Sequence, residues 1–352
     1  MKRIYCLLFP VWFLCSCEKE IQFNDEIAEP VMVLNTYISP DSLVQVHLSE
    51  SRFFLNEDSL FKIIEDADVE MVVNGSHVES LQYTGDGVYV SPYHIDSGDS
   101  IYINVRHRKL PDIACEGLKI PFAIPLESVS VGKIVMDTSN NSIASYSSPT
   151  INRQDTLAYY INKRGDVNIT FSDPADEVNY YRLLLFEKTD YSDGTSRYRQ
   201  SHYANDDPVF DNSMGTDVWG NNYNMYFTFS DILFNGKTYT IKTNTSLGGR
   251  YLLAPDSVWD FYKIEPSDYM LEDTVSIVKK VLYFHLFNIT PSYYYFLSSK
   301  ALSETSSNGI GEGLFSEPVQ IYTNVKGGTG IMAGYADFIY SVDVTEFILK
   351  SE

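Results

Sequence analysis

The sequence predicts a mainly β protein: an N-terminal Ig-like or transthyretin-like β-sandwich, followed by a larger β-sandwich domain with long loops and one short helix. Three observations carry this expectation. Apolar residues recur with a period of two along much of the chain. Turn-forming pairs such as Asn74-Gly75 and Asn235-Gly236 separate those runs. Aromatic residues are abundant, with 27 Tyr and 20 Phe against 3 Trp. A period of two puts successive side chains on opposite faces, which is the mark of a half-buried strand. Aromatic rings favour strands, and they also supply contact area at low entropic cost.

The first segment is a leader. Lys2 and Arg3 precede an apolar stretch from Ile4 to Leu14 that is too short to span a bilayer and runs into Leu14-Cys15-Ser16-Cys17. This reads as a bacterial lipoprotein signal peptide over residues 1–16. A thiol at the first mature position accepts a diacylglycerol, so Cys17 is the expected lipidation site, and the buried acyl methylenes hold the chain to a membrane. Residues 17–30 are polar and acidic, lack a period, and end at Pro30, as a flexible tether would.

Residues 31–120 form the first expected domain. Val44, Val46 and Leu48 alternate on one face, followed by Val69, Met71 and Val73, and by Ile101, Ile103 and Val105. Gly85-Asp86-Gly87 and Asp96-Ser97-Gly98-Asp99 supply turns. Pro111, Pro121 and Pro125 then punctuate an extended segment, and the boundary is placed there.

Residues 121–352 form the second. Strands are expected at Val129–Val135, Val167–Phe171, Tyr180–Phe186, Met225–Phe229 and Thr238–Ile241, with long loops at 137–154, 190–224 and 244–272. Val281–Ile289 is apolar on both faces and reads as a central strand. Thr290-Pro291-Ser292 starts a helix over Tyr293–Thr305. Gly327-Gly328-Thr329-Gly330 reads as a bulge or tight loop before a last strand through Phe338, Tyr340 and Val342.

The formal charge of the 352-residue chain is −21, and loss of Lys2 and Arg3 with the leader takes it to −23. Nucleic acid is excluded as a partner on that ground. Cys6 and Cys15 leave with the leader, so the mature body keeps Cys115 and forms no internal disulfide. The six histidines lack metal-ligand spacing, and no Gly-x-Ser-x-Gly elbow occurs. No metal and no cofactor are expected.

Phe171-Ser172-Asp173-Pro174 followed by Asn179-Tyr180-Tyr181-Arg182, and Pro318–Asn324 running into Gly327–Met332, together with Cys17, resemble a Bacteroidota family of outer-membrane lipoproteins that carry a domain of unknown function. Glu18-Lys19-Glu20 also resembles the signal that sends such lipoproteins to the cell surface. Members are often encoded near TonB-dependent receptors. The resemblance therefore implies an accessory role beside a transport barrel, and it supplies no catalytic residues.

Candidate contact residues are few. Tyr180 and Tyr181 after Asp173-Pro174 offer an aromatic pair beside a carboxylate, although neighbours on a strand point to opposite faces and Asp-Pro is ordinary turn chemistry. Asp206, Asp207 and Asp211 gather hard oxygens in one loop, without the spacing of a calcium loop. Asp followed by Ser or Thr and an apolar residue recurs at Ser42, Ser59, Ser100, Thr156, Ser257 and Thr274, which resembles a Bacteroidota O-glycosylation site. The expected role is non-catalytic: a lipid-anchored accessory or ligand-binding partner of a TonB-dependent receptor. The alternatives are a surface hydrolase of glycan or peptide and a structural or adhesive envelope protein.

Overall fold

The computed structural model describes residues 29–52, 61–137, 142–148, 153–175, 177–201, 203, 206–210, 224–253, 277–308 and 319–349. Cys17, Ser59, Asp211, Ser257 and Thr274 lie outside them.

The first half contributes β1 (Met32–Ile38), β2 (Gln45–Glu50), β3 (Asp68–Val73), β4 (His77–Ser80), β5 (Gln82–Gly85), β6 (Val88–Val90), β7 (Ser100–Arg106), β8 (Ile113–Cys115) and β9 (Leu118–Lys119). The second half contributes β10 (Leu126–Asp137), β11 (Ser142–Ser148), β12 (Arg153–Ser172), β13 (Tyr180–Tyr191), β14 (Ser196–Gln200), β15 (Thr228–Ser230), β16 (Thr238–Leu253) and β17 (Ile277–Ile289). Helix α1 (Pro291–Asn308), β18 (Val325–Lys326), β19 (Thr329–Asp343) and the one-turn helix α2 (Thr345–Leu349) complete the chain.

These strands make β-sandwich layers. One sheet runs β14-β13-β17-β19-β1-β2-β6-β5, with β15 also on β13. A second runs β18-β8-β7-β3-β4 with β9 beside β7, and a third places β12 between β10 and β11 and pairs it with β16 as well. The first sheet is continuous through both halves because β19 serves each in turn. Its start pairs in parallel with β1, from Val33↔Thr329 to Ile38↔Gly334, and its end pairs antiparallel with β17.

Two cores follow from the alternation. One buries Met32, Leu34, Val46, Leu48, Val69, Met71, Val73, Ile101, Ile103 and Val105, and it draws Val325 and Met332 from the far end of the chain. The other buries Val167, Ile169, Phe171, Leu183, Leu185, Ile241, Phe284 and Leu286 around Phe229 and Phe234. Each layer hides its apolar face against the other, and burial at roughly 25 cal/mol per Å² of apolar surface is the main stabilising force.

The glycine run before β19 is a close approach. Gly330 has φ +113°, and a Cβ there would sit 2.0 Å from the Leu34 carbonyl oxygen; one at Gly328 would sit 2.4 Å from that of Met32. Only glycine lets β19 lie against β1 at this point.

Three expected loops contain strands. The Ser/Asn-rich stretch holds β11, which pairs with β12; the 190–224 segment holds β14, paired with β13 from Phe186↔Gln200 to Asp190↔Ser196; and β16 continues to Leu253 instead of ending near Ile241. In each, backbone pairing to a long neighbouring strand outweighs the polar composition. Conversely, Met225 is not in a strand. Asn224 clamps Thr228, accepting from its amide at 2.9 Å and donating to its carbonyl at 2.6 Å, so the intervening residues form a turn. The helix lies where it is expected, with Pro291 at its start, where a missing N–H costs nothing. Among the described residues no helix is long and apolar enough to cross a membrane.

Candidate functional site

A cleft of about 390 Å³ lies where the two halves meet. Its walls come from Glu116–Phe122 of the first half and the connector, Glu177–Tyr180 at the entry to β13, Asn288–Ser292 between β17 and α1, and Tyr322 and Asn324.

The walls are fixed by hydrogen bonds from their own side chains. Asn288 Nδ2 donates to the Phe122 carbonyl at 3.1 Å and ties the connector to β17. Asn324 and Met332 exchange two bonds, at 2.8 and 2.9 Å. Ser292 donates to the Met332 carbonyl at 3.1 Å, and the Gly334 amide donates to Thr290 Oγ1 at 3.1 Å. A cleft held this way is largely pre-formed, and ligand sites are typically apolar hollows with a few placed polar groups.

Phe122, Tyr180 and Tyr322 supply the aromatic lining, and Tyr180 and Tyr322 contact rings of α1 that are not part of it. The Tyr180 ring lies 4.5 Å from Tyr294 and 5.8 Å from Tyr295, centroid to centroid, and Tyr295 lies 5.8 Å from Tyr322. The Tyr180 and Tyr295 hydroxyls are 3.0 Å apart. Burial first, then that hydrogen bond, pushes the Tyr180 phenol above its ordinary pKa, so it is a neutral hydrogen-bonding group throughout the physiological range.

The other candidate positions separate. Tyr181 faces away from Tyr180, is fully buried in the second core, and packs 5.4 Å from both Phe171 and Phe229. Its hydroxyl donates to Asp173 Oδ1 at 2.5 Å, and the other oxygen of Asp173 accepts the Gly236 amide at 2.8 Å. Tyr181 is therefore a core residue with no surface to offer a ligand. Asp207 is buried and committed: it accepts from Tyr239 Oη at 2.8 Å, the Lys242 amide at 2.8 Å and the Val209 amide at 3.2 Å. Asp206 is exposed beside it. Among the described residues no three His, Cys, Asp or Glu groups gather as metal ligands.

Of the serine and threonine sites, Ser42 is exposed in the turn after β1, and Ser100 is half-buried at the start of β7 with its amide on Asn74 Oδ1 at 2.9 Å. Thr156 lies within β12. Cys115 is buried, and burial pushes its thiol up to about 12, which keeps it protonated and unreactive.

The sequence reading missed an ion-pair group in which the buried Lys280 and Glu187 meet the exposed Arg199. A signal for it exists. Glu187 continues the alternation of Leu183 and Leu185, and Lys280 that of Leu282 and Phe284, so both charges fall on core-facing positions.

Comparison with curated proteins gave no match. A family model described as Domain of unknown function (DUF4249) matches residues 18–339, which takes in both sandwich halves, the cleft and the glycine run. The chain belongs to the DUF4249 family.

Proposed function

We propose that this chain is a Bacteroidota outer-membrane lipoprotein, anchored through Cys17 and displayed at the cell surface, that acts without catalysis as an accessory or ligand-capturing partner of a TonB-dependent receptor. The observation that carries the reading is the cleft between the halves: Phe122, Tyr180 and Tyr322 line it together with the fixed polar side chains Asn288, Thr290, Ser292 and Asn324. Aromatic faces with a few oriented polar groups bind by contact area and hydrogen bonding. The processing run Leu14-Cys15-Ser16-Cys17 and the tether after it support the anchored placement.

Two variants test the reading in native cells. Cys17→Ala is expected to move the protein out of the membrane fraction. Val178, 61 % exposed at the cleft rim, can be enlarged without touching either core. Val178→Trp is expected to reduce recovery of a barrel partner while thermal melting stays unchanged; undiminished recovery would remove the cleft from the account.

A further inference from the structure

A second hollow, sharing no lining residue with the cleft, is built from Tyr37, Arg182, Phe287, Tyr293 and Tyr335 and encloses about 280 Å³. The register explains its composition. Arg182 pairs with Phe287 across β13 and β17, Phe287 pairs with Asp337 on β19, and Tyr37 on β1 pairs with Ala333. Tyr335 lies two residues from both Ala333 and Asp337. The four pocket residues that come from strands, Tyr37, Arg182, Phe287 and Tyr335, therefore share one face of the sheet, opposite the face whose Tyr181, Leu183 and Leu286 enter the core. Tyr293 reaches over from α1.

The rings form a continuous wall. Tyr37 and Tyr293 are 5.4 Å apart, Tyr293 and Tyr335 6.5 Å, and Tyr335 and Phe287 5.7 Å. Arg182 is the cation of this pocket, and its guanidinium is positioned rather than loose. Nε donates to the Tyr226 carbonyl at 3.0 Å, Nη1 to Tyr293 Oη at 3.2 Å, and Cζ stands 5.8 Å from the Tyr226 ring centroid. Among the described residues no carboxylate lies within ion-pair distance of it. Glu304 instead takes Tyr226 Oη at 2.8 Å, and Asp337, on the same sheet face, is held by His285 at 2.7 Å. A half-buried guanidinium without a counter-ion is uncommon in a chain of net charge −21. Arginine in such a place offers a planar fork suited to an anion.

We propose that this pocket binds a small carboxylate borne on a six-membered ring. One cation suits a singly charged carboxylate, and the ring faces supply stacking surface for the body that carries it. The volume is near the lower end for ligand sites, about 300 Å³, which suits one ring rather than a chain of them. The site stands apart from the cleft, so its failure would leave the reading of the cleft untouched.

The test is calorimetric titration of the purified, detergent-solubilised protein with glucuronate and with benzoate, each against its neutral twin, glucose and benzamide. Saturable binding of either acid, at least tenfold tighter than its twin, is expected, and the arm that binds identifies the ring as a sugar or an arene. Arg182→Met is expected to weaken that binding at least tenfold. Tyr37→Ala, at an exposed position on β1 outside both cores, should weaken it several-fold with melting unchanged, and it decides the matter if Arg182→Met fails to fold. Absence of saturable binding by both acids, equal binding of acid and twin, or binding unmoved by Tyr37→Ala and by a folded Arg182→Met would overturn the proposal.

Discussion

Lys280 Nζ lies 2.9 Å from Glu187 Oε2, with both side chains 3 % exposed, inside the seam between β13 and β17. Glu187 also accepts Arg199 Nε at 2.5 Å, and Lys280 donates to the Leu247 carbonyl at 3.2 Å, so the buried charges are both paired and hydrogen-bonded. Removing Glu187 leaves the buried Lys280 without its counter-ion, whereas removing Lys280 leaves Glu187 still paired with Arg199. Glu187→Gln is expected to cost about 3–5 kcal/mol, Lys280→Met less than that because Arg199 still faces Glu187, and Glu187→Leu with Lys280→Met together less than Glu187→Gln alone, because the desolvation of both buried ions then disappears. Urea denaturation of the three variants checks this; a Glu187→Gln loss below about 1 kcal/mol would contradict it.

Asp173 is the receiving end of the Tyr181 hydroxyl, and burial raises its carboxyl pKa despite that bond and the Gly236 amide, both of which pull it down. The native state therefore holds this proton more tightly than the unfolded chain does. Its contribution to stability falls as pH rises from the ordinary carboxylate value toward the raised folded one, and stays flat above. Stability of the wild type relative to Asp173→Asn is expected to decline over the window that opens at the ordinary carboxylate pKa and closes once the raised folded one is passed. A rise over that window would refute the assignment. Tyr181→Phe, which leaves the buried carboxylate one donor short, is expected to cost about 1–3 kcal/mol at neutral pH.

Gly330 allows the parallel contact of β19 with β1. Alanine there combines a φ of +113° with a Cβ 2.0 Å from a backbone oxygen that cannot swing away. Gly330→Ala is expected to lower the melting temperature far more than Gly75→Ala, where the hairpin has open space and only the positive φ, worth about 1–2 kcal/mol, is at stake. Similar melting of the two variants would mean that the parallel pairing contributes little.

The sequence made the regular half-buried strands legible because alternation is a local property. Val69, Met71 and Val73 in β3, and Ile101, Ile103 and Val105 in β7, read inward in the sequence and point inward in the fold. The α1 segment was equally plain from Pro291 and the residues after it. Less visible was β11, whose serines pair with β12 through backbone groups that composition does not report. The parallel union of β1 with β19, nearly three hundred residues apart, left no periodic trace beyond the glycines that permit it. Of the candidate contact residues, Tyr180 lies in the cleft, whereas Tyr181 and Asp207 carry internal hydrogen bonds. A single strand cannot show which face its neighbours will cover. The Arg182 pocket was hidden for the same reason: its residues come from four strands and a helix, and only the register brings them together.

The most direct measurement is capture of the tagged, full-length protein from gently solubilised native outer membranes, with quantitative mass spectrometry of what copurifies. A TonB-dependent barrel present near one copy per captured chain is the expected result. No outer-membrane barrel above the level recovered with an unrelated lipoprotein would contradict the accessory role.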